Sequence, residues 1–179
     1  MPWDEPGSTA IVILTREAEP LVGRFYRVHA NAGRDGMTPH VTLLVPFVPV
    51  GRIDEDVLRL LLRLFGRFEA FEYHLRRFER FESGVLYLAP EPPERFVSLA
   101  LALAEEFPEY PPYEGIHDAV IPHVTVADGG HEELFARIRS DVEPRLPVAC
   151  RAVEATLVER GEDLQWRPRD TFPLGATVN

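Results

Sequence analysis

The chain has 179 residues, which is the length of one domain or at most two small ones. Apolar residues make up 45% of it and charged residues 27%, which excludes a disordered or fibrous chain. The net charge of −10, with arginine supplying all 19 basic residues, disfavours non-specific binding to long nucleic acid or anionic membranes. Cys150 is the single cysteine, so an intrachain disulfide and a paired-cysteine zinc site are excluded.

Two features of the sequence bear on location. The first residues include acidic side chains and no apolar segment, so no signal peptide is predicted. The longest uncharged stretch, residues 37–51, contains prolines and a histidine and is too short to span a bilayer. We therefore expect a cytoplasmic protein with no membrane partner.

The first part of the chain is predicted to alternate strands and helices. An apolar run rich in β-branched residues predicts a strand over residues 9–14, and a helix follows from about Pro20. The glycine and asparagine residues within 31–36 predict a loop that ends this helix, before a second strand over 40–45. The apolar face of the helix is predicted to consist of Leu21, Phe25 and Val28.

A second helix is predicted to begin after Asp54, whose carboxylate suits the N-cap position, and to end near Gly66. Phe71, Tyr73 and Leu75 then alternate with polar residues, which predicts a half-buried strand. The apolar residues of the second helix recur at helical spacing and are Val57, Leu61, Leu64 and Phe65.

The second part of the chain repeats this order after Gly84. A closing hairpin around Gly161 is predicted from residues 148–158 and 163–172. Before it, strands and helices are predicted to alternate, in chain order, over residues 85–89, 93–107, 123–127 and 131–142.

The order strand, helix, strand, helix, strand therefore occurs twice. We predict an α+β fold with two pseudo-symmetric β-α-β-α-β halves around a central cleft. The halves cover about residues 9–80 and 84–173 and belong to one bilobed domain that spans residues 1–179.

A short motif is repeated in the two halves. Residues 39–42 and 122–125 both read Pro-His-Val-Thr, which places His40 and His123 83 residues apart. A single histidine in a strand is most often structural. The repetition of a His-x-Thr unit in equivalent elements favours a functional role for both histidines.

The spacing within the motif determines which side chains share a face. Side chains alternate across a strand, so His40 and Thr42 lie on one face and the valine between them on the other. His123 and Thr125 share a face in the same way. The valine faces can pack in the core, whereas the polar faces would be costly to bury alone. We therefore expect the polar faces to line a cleft between the halves.

Two imidazoles and two hydroxyls in one cleft suit phosphoryl chemistry. The ordinary imidazole pKa of about 6.5 allows one ring to be neutral and the other protonated near neutrality. A neutral ring can accept a proton from attacking water, and a protonated ring can donate one to the leaving oxygen. Threonine hydroxyls can donate hydrogen bonds to the non-bridging phosphate oxygens. This chemistry needs no metal ion.

The paired His-x-Thr-x motifs resemble those of the two-histidine phosphoesterase superfamily, and in particular the 2'-5' RNA ligase-like family with its bacterial cyclic phosphodiesterases. Three segments are similar to that family: residues 39–47 (PHVTLLVPF), 84–90 (GVLYLAP) and 107–128 (FPEYPPYEGIHDAVIPHVTVAD). The resemblance covers roughly residues 8–174. Val126, where the commoner form has leucine, is a small departure that leaves the histidines in place.

The resemblance implies a bilobed fold in which His40 and His123 are the acid–base pair. It also implies that Thr42 and Thr125 bind phosphate. The implied activity is opening of a 2',3'-cyclic phosphate at an RNA or nucleotide end, without a cofactor. The family's ligase activity forms a 2'-5' linkage when a 5'-hydroxyl takes the place of water. The implied partners are RNA ends or a small cyclic nucleotide, and no obligate protein partner is predicted.

Other functions stay open. The same enzyme chemistry could hydrolyse a 2'-5' linkage or a nucleotide-sugar cyclic phosphate. A module of another class could bind nucleotides in the cleft without turnover, although the intact histidines and threonines count against it.

Some residues outside the motifs are weaker candidates. Phe47, Tyr113 and Trp166 could stack on a base, as aromatic side chains do at single-stranded ends, but each is also typical of core or loop packing. No metal site is predicted. A crowded group of potential ligands matches no known metal-ligand spacing; it comprises His117, Asp118, His123, Asp128 and His131. A solvated strand edge, rather than an RNA contact, is predicted for the basic cluster Arg76, Arg77 and Arg80.

Overall fold

A computed structural model describes residues 4–115 and 119–175 of the chain. It contains eight strands and five α-helices within these residues. The strands are β1 (Thr9–Leu14), β2 (His40–Leu44), β3 (Phe71–Arg80), β4 (Leu86–Glu91), β5 (Val124–Ala127), β6 (Val148–Ala152), β7 (Glu154–Arg160) and β8 (Trp166–Pro173). The helices are α1 (Glu19–His29), α2 (Asn31–Arg34), α3 (Glu55–Gly66), α4 (Glu94–Glu106) and α5 (Glu132–Val142).

All eight strands form one antiparallel sheet in the order β6-β3-β4-β5-β2-β1-β7-β8. The two motif strands, β2 and β5, are neighbours at its centre, where Val41 lies opposite Val124. Helices and strands are mixed along the chain, and the predicted α+β class is therefore confirmed.

The predicted closing hairpin is wrong in its first strand. Residues 148–158 divide at Val153 into β6, which pairs with β3 at one edge of the sheet, and β7, which pairs with β1 near the other edge. Only β7 and β8 form a hairpin around Gly161. The sequence has no glycine or proline near Val153, so residues 148–158 read as one continuous strand. In the structure the chain crosses at Val153 from one edge of the sheet to a position near the other edge.

The third strand of the first half lies among strands of the second half. β3 pairs with β4 and β6, while β7 takes the place beside β1. The strands on the two sides of the central β2–β5 pair therefore come from both parts of the chain. The predicted division into residues 9–80 and 84–173 stays a prediction about the sequence repeat.

One face of the sheet carries the main core. Apolar side chains at alternating strand positions pack there against the helices, as the period of two requires. The helix residues in this core are Leu21, Val22 and Phe25 of α1, Leu61, Leu64 and Phe65 of α3, Phe96, Leu99 and Leu103 of α4, and Phe135, Ile138 and Val142 of α5. α1 packs on β5 and α4 packs on β2, so these two helices lie against the central strand pair.

The first helix differs from its prediction in two respects. Val28 is exposed, whereas Tyr26 is buried. The helix buries two adjacent faces: Leu21, Val22 and Phe25 pack in the main core, and Tyr26 packs in a second, smaller apolar cluster. The predicted loop 31–36 contains the short helix α2. Its Gly33 is required by packing, since a Cβ atom there would lie 2.2 Å from the Tyr26 carbonyl oxygen.

No helix among residues 4–115 and 119–175 combines the length and apolar character that crossing a membrane requires. The cytoplasmic location stays a prediction from the sequence.

The basic cluster of β3 does not lie at a sheet edge, because β3 has neighbours on both sides. Its arginines pair with nearby carboxylates. The pairs are Arg76 with Glu91, Arg77 with Glu79 and Glu91, and Arg80 with Glu132.

Asp54 caps α3 as predicted. Its carboxylate accepts hydrogen bonds from the backbone N–H groups of Asp56 at 3.1 Å and Val57 at 3.0 Å. These donors have no carbonyl partner within the helix, so the cap satisfies groups that the first turn leaves free.

We expect Asp54→Ala to lower the free energy of unfolding by about 1 kcal/mol, because the capped N–H groups lose their acceptor. Urea denaturation followed by circular dichroism measures the change. Asp54→Asn is the control, since an asparagine side chain accepts the same hydrogen bonds. An equal loss in both variants would contradict the capping role.

Candidate active site

The central strand pair brings the two His-x-Thr units together. Burial alternates along both motifs: His40 and Thr42 are half-buried while Val41 is fully buried, and the second motif has the same pattern. The valines enter the main core, so the histidines and threonines lie on the opposite face. There the two histidines and two threonines line one cavity of about 430 Å³.

Each histidine is oriented by its own strand. His40 Nδ1 lies 2.9 Å from the carbonyl oxygen of Thr38, and His123 Nδ1 lies 2.7 Å from that of Ile121. A carbonyl can only accept, so Nδ1 carries the proton in both rings. Nε2 is therefore the nitrogen left to exchange a proton with a ligand in the cavity, and the two-residue offset makes the arrangement identical in both motifs.

Burial keeps both rings uncharged at neutral pH. Desolvation lowers the pKa of His40 to about 4, against a smaller rise from its Thr38 hydrogen bond. Desolvation also lowers the pKa of His123. A charge on His123 lowers the pKa of His40 further, because two cations in the same cavity repel each other. A charge on His123 therefore keeps His40 neutral.

The two rings have different neighbours. The Tyr26 hydroxyl lies 3.4 Å from His40 Nδ1, and the two rings meet edge to face. His123 instead contacts Phe81 and Tyr87, whose rings stack on each other with centroids 4.4 Å apart. The aromatic walls hold the imidazoles in place and exclude water from one side of each.

Tyr113 and Trp166, two of the three predicted aromatic candidates, line the cavity. The Tyr113 hydroxyl is in hydrogen-bonding contact with the Thr42 side chain, and burial raises its pKa to about 12. The backbone of Tyr113 has φ of +50°, and its N–H donates to the Val45 carbonyl at 2.7 Å. This strained turn places the ring beside β2.

Phe47, the third aromatic candidate, lies elsewhere. Its side chain is 2% exposed, belongs to the main core and packs edge to face on Phe107. It does not line the cavity that holds the histidines. The structure therefore places it in the packing role that the sequence also allowed.

Several residues of the cavity were not predicted as site residues from the sequence. Arg160 is only 7% exposed, and its guanidinium pairs with Asp35 at 2.6 Å and Asp4 at 3.2 Å. Asp128 accepts a hydrogen bond from the Asn31 N–H at 2.8 Å. No local pattern marks these positions, because each depends on strand pairings or loops distant in sequence.

Two further cavities adjoin this one. A cavity of about 540 Å³ shares His123, Tyr113 and Val85 with it and is lined mainly by apolar residues, which include Phe81, with Glu82 and Ser83 beside them. Another of about 830 Å³ shares Asn31 and Asp128 with it and is more polar. The histidine pair thus has space for ligand groups on more than one side.

The part of the chain that the structure describes holds no group of three or more metal-ligating side chains. His117 and Asp118, from the crowded group considered above, lie outside the described residues. His131 is the N-cap of α5, where its Nδ1 accepts from the Leu134 N–H.

The family model described as the 2'-5' RNA ligase superfamily matches residues 15–164, which is most of the chain. The chain belongs to the 2'-5' RNA ligase superfamily. The membership predicted from the two His-x-Thr motifs is therefore confirmed. A comparison with curated protein sequences gave no match.

Solved structures of other proteins share the fold. TT0787 of Thermus thermophilus aligns with a TM-score of 0.63 and 20% identity, over 94% of this chain and 98% of that one. LigT of E. coli in its apo form aligns with a TM-score of 0.61 and 19% identity, over 96% and 99% of the two chains. LigT has also been crystallised with 3'-AMP, at a TM-score of 0.59, 20% identity and the same coverage. These similarities confirm the predicted 2'-5' RNA ligase-like fold.

We expect nitrogen NMR of the histidine side chains to show the Nδ1–H tautomer for His40 and His123, with both pKa values below 6.5. The backbone carbonyls fix the tautomer, and burial disfavours the charged ring. His40→Gln and His123→Gln assign the signals. An Nε2–H tautomer in either ring would contradict the proposed orientation of that histidine.

Proposed function

We propose that this member of the superfamily is a metal-independent phosphoesterase that opens 2',3'-cyclic phosphates at RNA or nucleotide ends. The observation that carries the proposal is the paired orientation of His40 and His123. Both rings line one cavity and are held at Nδ1, which leaves Nε2 for proton exchange, and each has a threonine two residues away on the same strand face. No metal or cofactor is required for this chemistry.

The two imidazoles divide the proton transfers between them. The neutral ring accepts a proton from water at Nε2 as the water oxygen attacks phosphorus. The protonated ring donates a proton from Nε2 to the ribose oxygen that leaves, and the product is a ribose phosphate monoester with one free hydroxyl. After one turnover the two rings have exchanged protonation states, and proton exchange with solvent resets them.

We base the roles of the two rings on the difference between them. His40 has the pKa of about 4 and stays neutral beside a charged His123, so His40 is the base that activates water. The charged His123 is then the acid that protonates the leaving oxygen. The same opening with a 5'-hydroxyl in place of water would give a 2'-5' linkage, and in the reverse of either reaction the two rings exchange roles.

The threonines stabilise the charged phosphate. Hydroxyl groups of Thr42 and Thr125 lie on the same face as the histidines and can donate to the non-bridging oxygens. Tyr113 contacts Thr42 and orients its hydroxyl.

Relatives of known structure support a nucleotide ligand. LigT of E. coli has been crystallised with 3'-AMP, ATP, NADP+ and phosphate. A 2'- or 3'-phosphorylated nucleoside is the product of the proposed reaction.

A second candidate function is hydrolysis of a 2'-5' linkage between two nucleosides. The cavity on the Phe81 side of His123 favours it, because that cavity is large enough for a second nucleoside on the leaving-group side. A cyclic phosphate leaves this space unused. Nucleotide-sugar cyclic phosphates and binding without turnover are the remaining alternatives, and a substrate panel distinguishes all of them.

We expect His40→Ala and His123→Ala each to reduce hydrolysis of nucleoside 2',3'-cyclic phosphates by about 100-fold or more, because each removes one proton transfer. The assay contains EDTA and identifies the product isomer. His74→Ala on β3 is the matched control and keeps activity. Circular dichroism establishes that each variant is folded, and full activity in either motif variant would contradict the acid–base pair.

We expect kcat/KM to rise as the pH passes about 4 and to fall again at a pH below 6.5. The free enzyme must hold one proton on the pair, and burial lowers both pKa values below the ordinary 6.5. The acidic limb reports protonation of His40, and the basic limb reports loss of the proton from His123. A profile that rises steadily through pH 8 would contradict these roles.

A further inference from the structure

The catalytic cavity has a second polar end, away from the histidines. Arg160 on β7 and Trp166 on β8 are direct partners across the hairpin, and both line the cavity. The strand register separates Arg160 from Thr42 by two strands and four residues, which is roughly 16 Å between Cα atoms. Side chains from both ends shorten this span, so a ligand on the histidines can reach the Arg160 end.

The wall between the two ends is apolar. Its side chains form the second, smaller apolar cluster of the molecule and suit a flat aromatic ring. They include Ala10, Val12, Met37, Val45, Val158 and Trp166.

Arg160 is not arranged as a phosphate site. Its guanidinium already pairs with Asp35 and Asp4, so this end of the cavity carries two carboxylates against one cation. A second phosphate would be repelled there. The ligand group that fits is uncharged and presents hydrogen-bond donors to a carboxylate and an acceptor to a guanidinium.

Asp35 is held firmly in this position. Its N–H donates to the Asn31 carbonyl at 3.0 Å, and its carbonyl accepts from the Trp166 N–H at 2.7 Å. The carboxylate uses Oδ2 for Arg160, and Oδ1 receives no hydrogen bond from any residue in the described ranges. Burial of an arginine side chain lowers the stability of the fold unless all of its N–H groups are paired. Arg160 Nε has no acceptor among the described residues. Such costs concentrate at functional sites.

We propose that Asp35 and Arg160 read the Watson–Crick edge of a guanine base, whose ribose phosphate lies on the two histidines. Guanine presents two adjacent donors, N1–H and N2–H, beside the O6 acceptor. The donors match the Asp35 carboxylate, O6 matches the Arg160 guanidinium, and the ring lies against Trp166. This inference rests on the proposed function, since it names the base of the same substrate.

Comparison of guanosine with inosine 2',3'-cyclic phosphate tests the proposal on the unaltered protein. Inosine lacks only the N2 amine, so one hydrogen bond to Asp35 is lost. We expect kcat/KM for the guanosine substrate to exceed that for inosine by at least about fivefold, and uridine to be poorer than guanosine by at least as much. Equal values for guanosine and inosine would overturn the proposal.

Two variants distinguish direct recognition of the base by Asp35 from an indirect effect through the position of Arg160. Asp35→Asn removes the carboxylate that accepts from guanine, and the guanosine-to-inosine ratio falls towards one. Asp4→Asn removes the other partner of the same guanidinium and keeps the ratio. If Asp4→Asn abolishes the ratio as fully as Asp35→Asn, the preference arises from the position of Arg160 and the proposal is wrong.

A binding measurement distinguishes failure of this inference from failure of the proposed function. Calorimetry compares the Kd values of guanosine 3'-phosphate and inosine 3'-phosphate, neither of which needs turnover. Tighter guanosine binding without hydrolysis of any cyclic phosphate would support the base site and reject the esterase. Hydrolysis of all bases with equal affinities would support the esterase and reject the base site.

Discussion

The antiparallel pairing of β2 with β5 is the constraint on which the site depends. The pairing of Val41 with Val124 sets the register. Because side chains alternate along each strand, this register places the histidines and threonines on one face and the valines on the other. A shift of either strand by one residue would turn its histidine and threonine into the core and its valine into the cavity. The packing of α1 on β5 and of α4 on β2 braces this short junction from the core side.

The motif also orients its own histidines, which explains why no carboxylate partner is needed. A backbone carbonyl two residues earlier fixes the tautomer, and that carbonyl belongs to the same strand entry as the histidine. The orientation therefore follows from the local chain path. A carboxylate partner would raise the pKa of the ring, whereas a carbonyl holds the ring with a smaller effect on its charge.

Much of this could be predicted from the sequence, because the deciding features were local. Alternation of polar and apolar residues predicted the motif strands and their two faces, and Asp54 was predicted as a cap from its position alone. Features that depend on long-range pairing were not predictable. The break at Val153 has no turn residue to mark it, and the burial of Arg160 arises only when β7 pairs with β1 and carboxylates from two distant loops approach it. Phe47 and Trp166 are both aromatic residues near turns, and only their positions across the sheet distinguish a core residue from a cavity residue.

Burial of the histidine pair has a consequence for the proposed chemistry. The protein by itself favours two neutral rings, since each charge would have to be desolvated beside the other. An anionic phosphate reverses that preference, because its charge lies beside the imidazoles and compensates a proton on one of them. The protein therefore acquires its acid together with its substrate, and a neutral ligand of the same shape would leave both rings unprotonated. The carboxylates at the far end of the cavity act in the same direction, since they direct the single negative charge of a cyclic phosphate towards the histidines.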